Sequence, residues 1–163
     1  MRPGDNAAGA IIARYTQAMV GRRCLVEARE HDWLFDFGRG WMLQVAAAWR
    51  LVGKEGVIFA NRDDDAEQLR TWPLGGDTVA GKALKRKKVA AVHVDQATGD
   101  LSVVFDETLR LQVFNNSAAY EGWQAHFGID GHNVSLVGLP GGGIAFVGVA
   151  SAAGVAVGAR LEP

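Results

Sequence analysis

From residue 23 onward the chain alternates apolar and polar side chains in short runs, and nothing else in it restricts the fold as much. Cys24, Val26 and Ala28 alternate with Arg23, Leu25 and Glu27; Trp33, Phe35 and Phe37 alternate with Leu34 and Asp36; Trp41, Leu43 and Val45 follow a G-R-G turn. A period of two puts one set of side chains on one face of a strand. Turns this short leave no room for crossover helices, so the pattern predicts an antiparallel meander. A further strand is predicted over 56–60 (GVIFA). The 21 glycines fit many tight turns and short strands.

The triplet L-Q-V at 43–45 returns at 111–113, again a short turn after a phenylalanine. A gapless shift of 68 residues lays Phe37 on Phe105, Leu43 on Leu111, Gln44 on Gln112, Val45 on Val113, Val26 on Val94, Asp32 on Asp100 and Phe59 on Phe127. The alternation stays in phase, with Trp33, Phe35 and Trp41 over Leu101, Val103 and Leu109. Ahead of the first meander, Ile11, Ile12, Tyr15, Met19 and Val20 form one helical face over 7–20, with Gly21 as its stop. Ahead of the second, 76–88 reads as a helix capped by Asp77 or Thr78. The expectation is an α+β fold, mainly antiparallel β, in which two internally similar helix-plus-β-meander units form one domain over 1–163. Unit one covers about 7–60, a linking loop 61–75, unit two about 76–148 and a tail 149–163. D-G at 130–131 and P-G-G-G at 140–143 predict hairpins after the second meander.

A chain of 163 residues can bury a core without disulfides or a structural metal. The lone Cys24 permits no intrachain disulfide and no cysteine zinc site, and it reads as a buried thiol, so a reducing cytoplasm is the expected home. The N-terminal residues lack a continuous apolar stretch before a small-residue cleavage site, and no signal peptide is expected. A net charge of −1 supplies no overall field toward nucleic acid or an anionic membrane, and neither partner is expected. The one basic block, KRKK at 85–88, reads as the C-terminus of the second helix, its cations complementing the dipole.

The G-x-S-x-G elbow, H-E-x-x-H, the P-loop and the dinucleotide fingerprint do not occur, so no catalytic residues and no cofactor are assigned. His126 and His132 flank the D-G turn with Asp130 between them, a weak candidate metal set; turn-flanking histidines are more often plain surface positions. Asp63, Asp64 and Asp65 are contiguous, unlike the spaced ligands of a calcium loop, and read as a solvated turn. Five tryptophans in this length serve either a small β core or a partner surface, because Trp, Tyr and Arg dominate binding hot spots. Partner contact is assigned to Trp72 in the loop before Pro73, the acidic Asp63, Asp64 and Asp65, and Tyr120, Glu121 and Trp123.

The second half carries T-G-D-L at 98–101, Phe105-Asp106 and then Leu111, Y-E-G-W at 120–123 and G-G-G at 141–143. That order resembles a family of small uncharacterised bacterial proteins. The first half is similar to it through W-x-F-x-F at 33–37, L-x-V at 43–45, W-R-L at 49–51 and the acidic Asp63 to Asp65, so the resemblance covers most of 20–148. The N-terminal helix and the Gly/Ala tail depart from the pattern. Such proteins look like the small intracellular partners found beside bacterial toxins, which bind and block. The resemblance implies a non-catalytic protein-binding module, of immunity or antitoxin type, with another protein, such as a toxin, as partner and a homodimer as a further option. The alternative is a small-ligand-binding or hydrolytic domain with a pocket between the two meanders.

Overall fold

The computed structural model describes residues 3–61, 76–106 and 108–148. Most of the expected linking loop, with Asp63, Asp64, Asp65 and Trp72, and the tail 149–163 lie outside the described residues.

Helix α1 (Pro3–Met19) buries Ile11, Ile12, Tyr15 and Met19 of the expected face, and Ala8 with them, whereas Val20 lies just past its end and is exposed. It starts earlier than the apolar period implied, with Pro3 in the first turn, where its missing N–H costs nothing. Gly21, at φ 85°, ends it. Five strands follow: β1 (Leu25–Ala28), β2 (Trp33–Asp36), β3 (Met42–Val45), β4 (Ala48–Gly53) and β5 (Gly56–Ala60). Helix α2 (Gly76–Leu84) opens the second half. Because it begins at Gly76, Asp77 and Thr78 stand inside its first turn and not at the capping position. It also stops four residues short of expectation. Arg86 takes φ 65°, which reverses the chain, and Lys87 N donates to Leu84 O at 3.0 Å, so KRKK forms the link to the next strand. Six strands complete the described chain: β6 (Val89–Val94), β7 (Leu101–Phe105), β8 (Leu109–Phe114), β9 (Trp123–Ile129), β10 (His132–Gly138) and β11 (Ile144–Gly148).

All pairings are antiparallel, but the meanders do not each make a sheet. One sheet runs β1-β2-β3-β9-β10-β11 and the other β5-β4-β8-β7-β6. Each half therefore contributes three strands to one sheet and crosses over to complete the other. The helices follow the same exchange: α1 packs on β6 and α2 on β1. The registers agree at the expected spacing. Trp33 faces Val45 and Phe35 faces Leu43; 68 residues on, Leu101 faces Val113 and Val103 faces Leu111. The correspondence then slips, because β3 reaches β4 through two residues, 46–47, whereas β8 reaches β9 through eight, 115–122. Phe59 on β5 and Phe127 on β9 thus hold different places. The residues that do correspond are Trp49 and Trp123, near the start of each crossing strand.

The space between the sheets, where a pocket was the alternative expectation, is packed with aromatic rings. Trp49 meets Trp33 edge-on at 4.8 Å, Phe35 at 5.1 Å and Phe59 at 5.5 Å between centroids. Under α1, Tyr15 stacks on Trp41 and touches Phe127 at 4.8 Å. Such contacts add to the area these rings remove from water.

Candidate functional site

Three turns meet at one end of the sandwich, and the hydrogen bonds joining them start from a short acidic turn. Asp95 Oδ1 accepts from Ala97 N (2.8 Å) and Thr98 N (3.0 Å), and these bonds hold its carboxyl below the usual carboxylate range. Gly99, at φ 77°, then directs the chain into β7. Asp100 Oδ1 accepts from Asn115 N at 2.8 Å. The Asn115 side chain, buried, donates from Nδ2 to Thr98 O (3.0 Å) and Leu139 O (2.8 Å). Its Oδ1 has no hydrogen-bond partner and lies against Gly122. A Cβ at Gly99 or at Gly122 would overlap the Asn115 amide, so both positions require glycine.

The glycine turn 141–143 closes the ring. Gly143 N donates to Ala97 O (3.0 Å), Gly141 N to Ser117 O (2.8 Å) and Trp123 Nε1 to Gly99 O (2.7 Å). T-G-D-L, Y-E-G-W and G-G-G, dispersed in sequence, are thus neighbours in one network.

The eight-residue connection 115–122 crosses the outside of this network. Ser117 Oγ accepts from Ala119 N (3.1 Å) and Tyr120 N (3.0 Å), which fixes the bend and turns Tyr120 outward, 77% exposed. Beside it opens a cleft of about 700 Å³ lined by Ala46, Ala47, Ala48, Tyr120, Glu121 and Pro140. Glu121 is exposed and accepts from Gln124 Nε2 at 2.7 Å. Glu121 is the charged residue of the described lining, and Glu30, Asp32, Asp95 and Asp100 stand on adjoining turns of this end, Asp32 bound to Arg29 at 2.6 Å.

Trp123, expected on the contact surface with Tyr120 and Glu121, is 1% exposed and belongs to the core. Alternation explains the difference: Trp123 opens β9 on its inward face, whereas Tyr120 stands on the loop before the strand. The candidate metal set does not assemble. Strand alternation sends His126 and His132 to opposite faces. Asp130 is held by Arg14 through paired bonds of 2.8 and 2.9 Å, which lower its carboxyl from the usual range. Among the described residues, no three His, Cys, Asp or Glu side chains are grouped to hold a metal ion.

His126 instead bridges three strands, with Nδ1 2.8 Å from Ser135 Oγ and Nε2 3.3 Å from Gln44 Oε1. A hydroxyl beside an imidazole is the start of a nucleophile pair. Here it lies on an open sheet face, and β9 is paired on both sides, so its backbone N–H groups serve the ladders and not an oxyanion. Burial raises the Cys24 thiol far above its ordinary value, which keeps it protonated.

Sequence reasoning did not find Asn115, Ser117 or Ala46 to Ala48. The available signal was the unequal spacing of Trp49 and Trp123 from the L-Q-V triplets, which exposes the lengthened connection that a gapless shift hides. Among the described residues, no helix is long and apolar enough to cross a membrane. Comparison of the chain with protein-family models, curated proteins and solved structures gave no match.

Proposed function

We propose that this chain is a non-catalytic module that binds another protein through the loop-bearing end of its sandwich, as an immunity or antitoxin partner does. The observation that carries the reading is Tyr120: a large aromatic side chain, 77% exposed, on a connection braced by Ser117 and the Asn115 network. An exposed tyrosine on a pre-ordered loop gives up little conformational entropy on binding, which is what a hot spot needs. The alanine-lined cleft beside it accepts a side chain from the partner, and Glu121 with the carboxylates of the adjoining turns favours a partner surface rich in Lys and Arg.

Shared register and exchanged strands support an origin by duplication, after which the second copy lengthened its 115–122 connection and acquired the site. The resemblance to bacterial partner proteins favours a bacterial source, and the single cysteine suits a reducing cytoplasm.

Affinity capture of the tagged chain from its source lysate, run in parallel with Tyr120→Ala and with Val147→Ala on the distant edge strand, tests the reading. A stoichiometric protein lost with Tyr120→Ala at unchanged melting temperature, and kept with Val147→Ala, is the expected result. A partner indifferent to Tyr120→Ala, or a chain recovered alone, refutes it.

A further inference from the structure

We propose that the opposite end of the sandwich docks on the surface of an anionic lipid bilayer. This concerns a different face from Tyr120 and does not rest on the protein-binding reading.

Three linkers converge there. Gly21 N donates to Val89 O and Val89 N to Arg22 O, both at 2.8 Å, which joins the α1–β1 link to the α2–β6 link. The β2–β3 turn adjoins them, and Gly21, Arg23, Leu25, Asp36, Gly38 and Lys88 line one cleft of about 440 Å³.

Arg22 turns inward, 4.1 Å over the Trp41 ring, and donates to Ala18 O at 3.0 Å. The remaining cations face outward. Arg23, Arg39, Lys85, Arg86 and Lys88 are exposed, and Lys87 reaches Asp106 at 3.7 Å. Among the described residues this end also carries four carboxylates: Asp36 and Asp106 beside these six cations, Glu55 next to Lys54 on the β4–β5 turn, and Asp130 paired with Arg14 on the β9–β10 turn. A chain whose total charge is −1 therefore presents a strongly positive end.

Two arginines occupy turn tips in the left-handed region, Arg39 at φ 54° between Gly38 and Gly40, and Arg86 at φ 65°. Non-glycine residues adopt this conformation at a cost, and glycine would remove it. What the turns retain instead is a long cationic side chain directed away from the body.

Polyanions of several kinds suit such a surface, and the apolar residues within it favour lipid. Leu25 is 75% exposed and Val20 53% exposed, and they bracket Arg22 and Arg23 in the chain. Protruding aliphatic side chains gain nothing from a phosphodiester backbone, but they are removed from water when they enter the headgroup boundary. The aromatics of this end, Phe37 and Trp41, are buried and offer no face for base stacking. Lys and Arg stems also extend along a membrane interface while their charges stay hydrated.

Co-sedimentation of the full chain with phosphatidylcholine vesicles, with and without about 30% phosphatidylserine, tests the proposal. The expected result is at least about tenfold more protein on the anionic vesicles, declining as salt is raised. Combined Lys85→Ser, Arg86→Ser and Lys88→Ser should abolish the difference. Leu25→Ser should reduce binding several-fold at constant charge, and Tyr120→Ala should leave it unchanged, which separates this surface from the loop end. Equal sedimentation with both vesicle types overturns the proposal. So does undiminished binding by Leu25→Ser together with displacement from vesicles by duplex DNA, which assigns this end to nucleic acid.

Discussion

Trp49 and Trp123 hold corresponding places near the start of the two crossing strands, yet their indole nitrogens differ. Trp123 Nε1 donates to Gly99 O, whereas Trp49 Nε1 is buried without a partner. Phenylalanine at either position loses similar volume, but only Trp123→Phe also breaks a buried hydrogen bond. Urea denaturation should place Trp123→Phe about 1–3 kcal/mol below Trp49→Phe; equal losses would show that volume alone decides. Asn115→Ala removes the amide that ties two turns together and should cost about 1–3 kcal/mol. It should also weaken partner capture by loosening the loop that carries Tyr120, although Asn115 itself is buried. Cys24, with its thiol pushed up by burial, should resist alkylation at neutral pH until the chain is unfolded; rapid labelling of the native protein would contradict its assignment to the core. Of these positions the alternating pattern placed Cys24 in the core, whereas Trp123 was expected on the contact surface. The role of Asn115 could not be read from the pattern, because its partners lie at residues 98 and 139.

At the scale of elements, the Asp130-Gly131 hairpin and α1 depend on one another. Asp130 sits at φ 51° and Gly131 at φ 79°, the geometry of the tight turn that D-G predicts. The Arg14–Asp130 pair then joins this turn to the helix. Because Arg14 lowers the Asp130 carboxyl, the pair's stabilisation is complete above the ordinary carboxylate range and fades as pH falls through the lowered folded value. Asparagine tolerates the same backbone. Asp130→Asn should therefore reduce the melting temperature slightly at neutral pH, and the difference should vanish in acid. A difference that grew in acid would contradict this linkage. The pattern also placed α2, but not its end: the last periodic residue is Leu84, and the reversal at Arg86 comes from a backbone conformation that charge composition does not signal.

For the whole molecule, the exchange of strands makes the halves interdependent. A fragment of residues 1–61 leaves β3 without β9 and β4 without β8, and exposes the face that α2 covers. Unpaired central strands with apolar faces do not remain soluble. Neither 1–61 nor 62–163 should show cooperative unfolding alone, while co-expression should restore a complex with the melting behaviour of the intact chain. Two separately folded halves would contradict the exchanged topology. The same arrangement gathers acidic turns at one end and cationic links at the other, although composition reports only their near-cancellation.

The sequence by itself determined most of the side chains that face inward, where most turns fall, and that the strands run antiparallel, because a period of two and a glycine turn act over a few residues. Only the tertiary structure decided that β3 pairs with β9 and β8 with β4, since backbone hydrogen bonds carry no residue code and these partners lie about 60 to 80 residues apart. That pairing brought three dispersed motifs around Asn115 and set Tyr120 and the arginine turns at opposite poles.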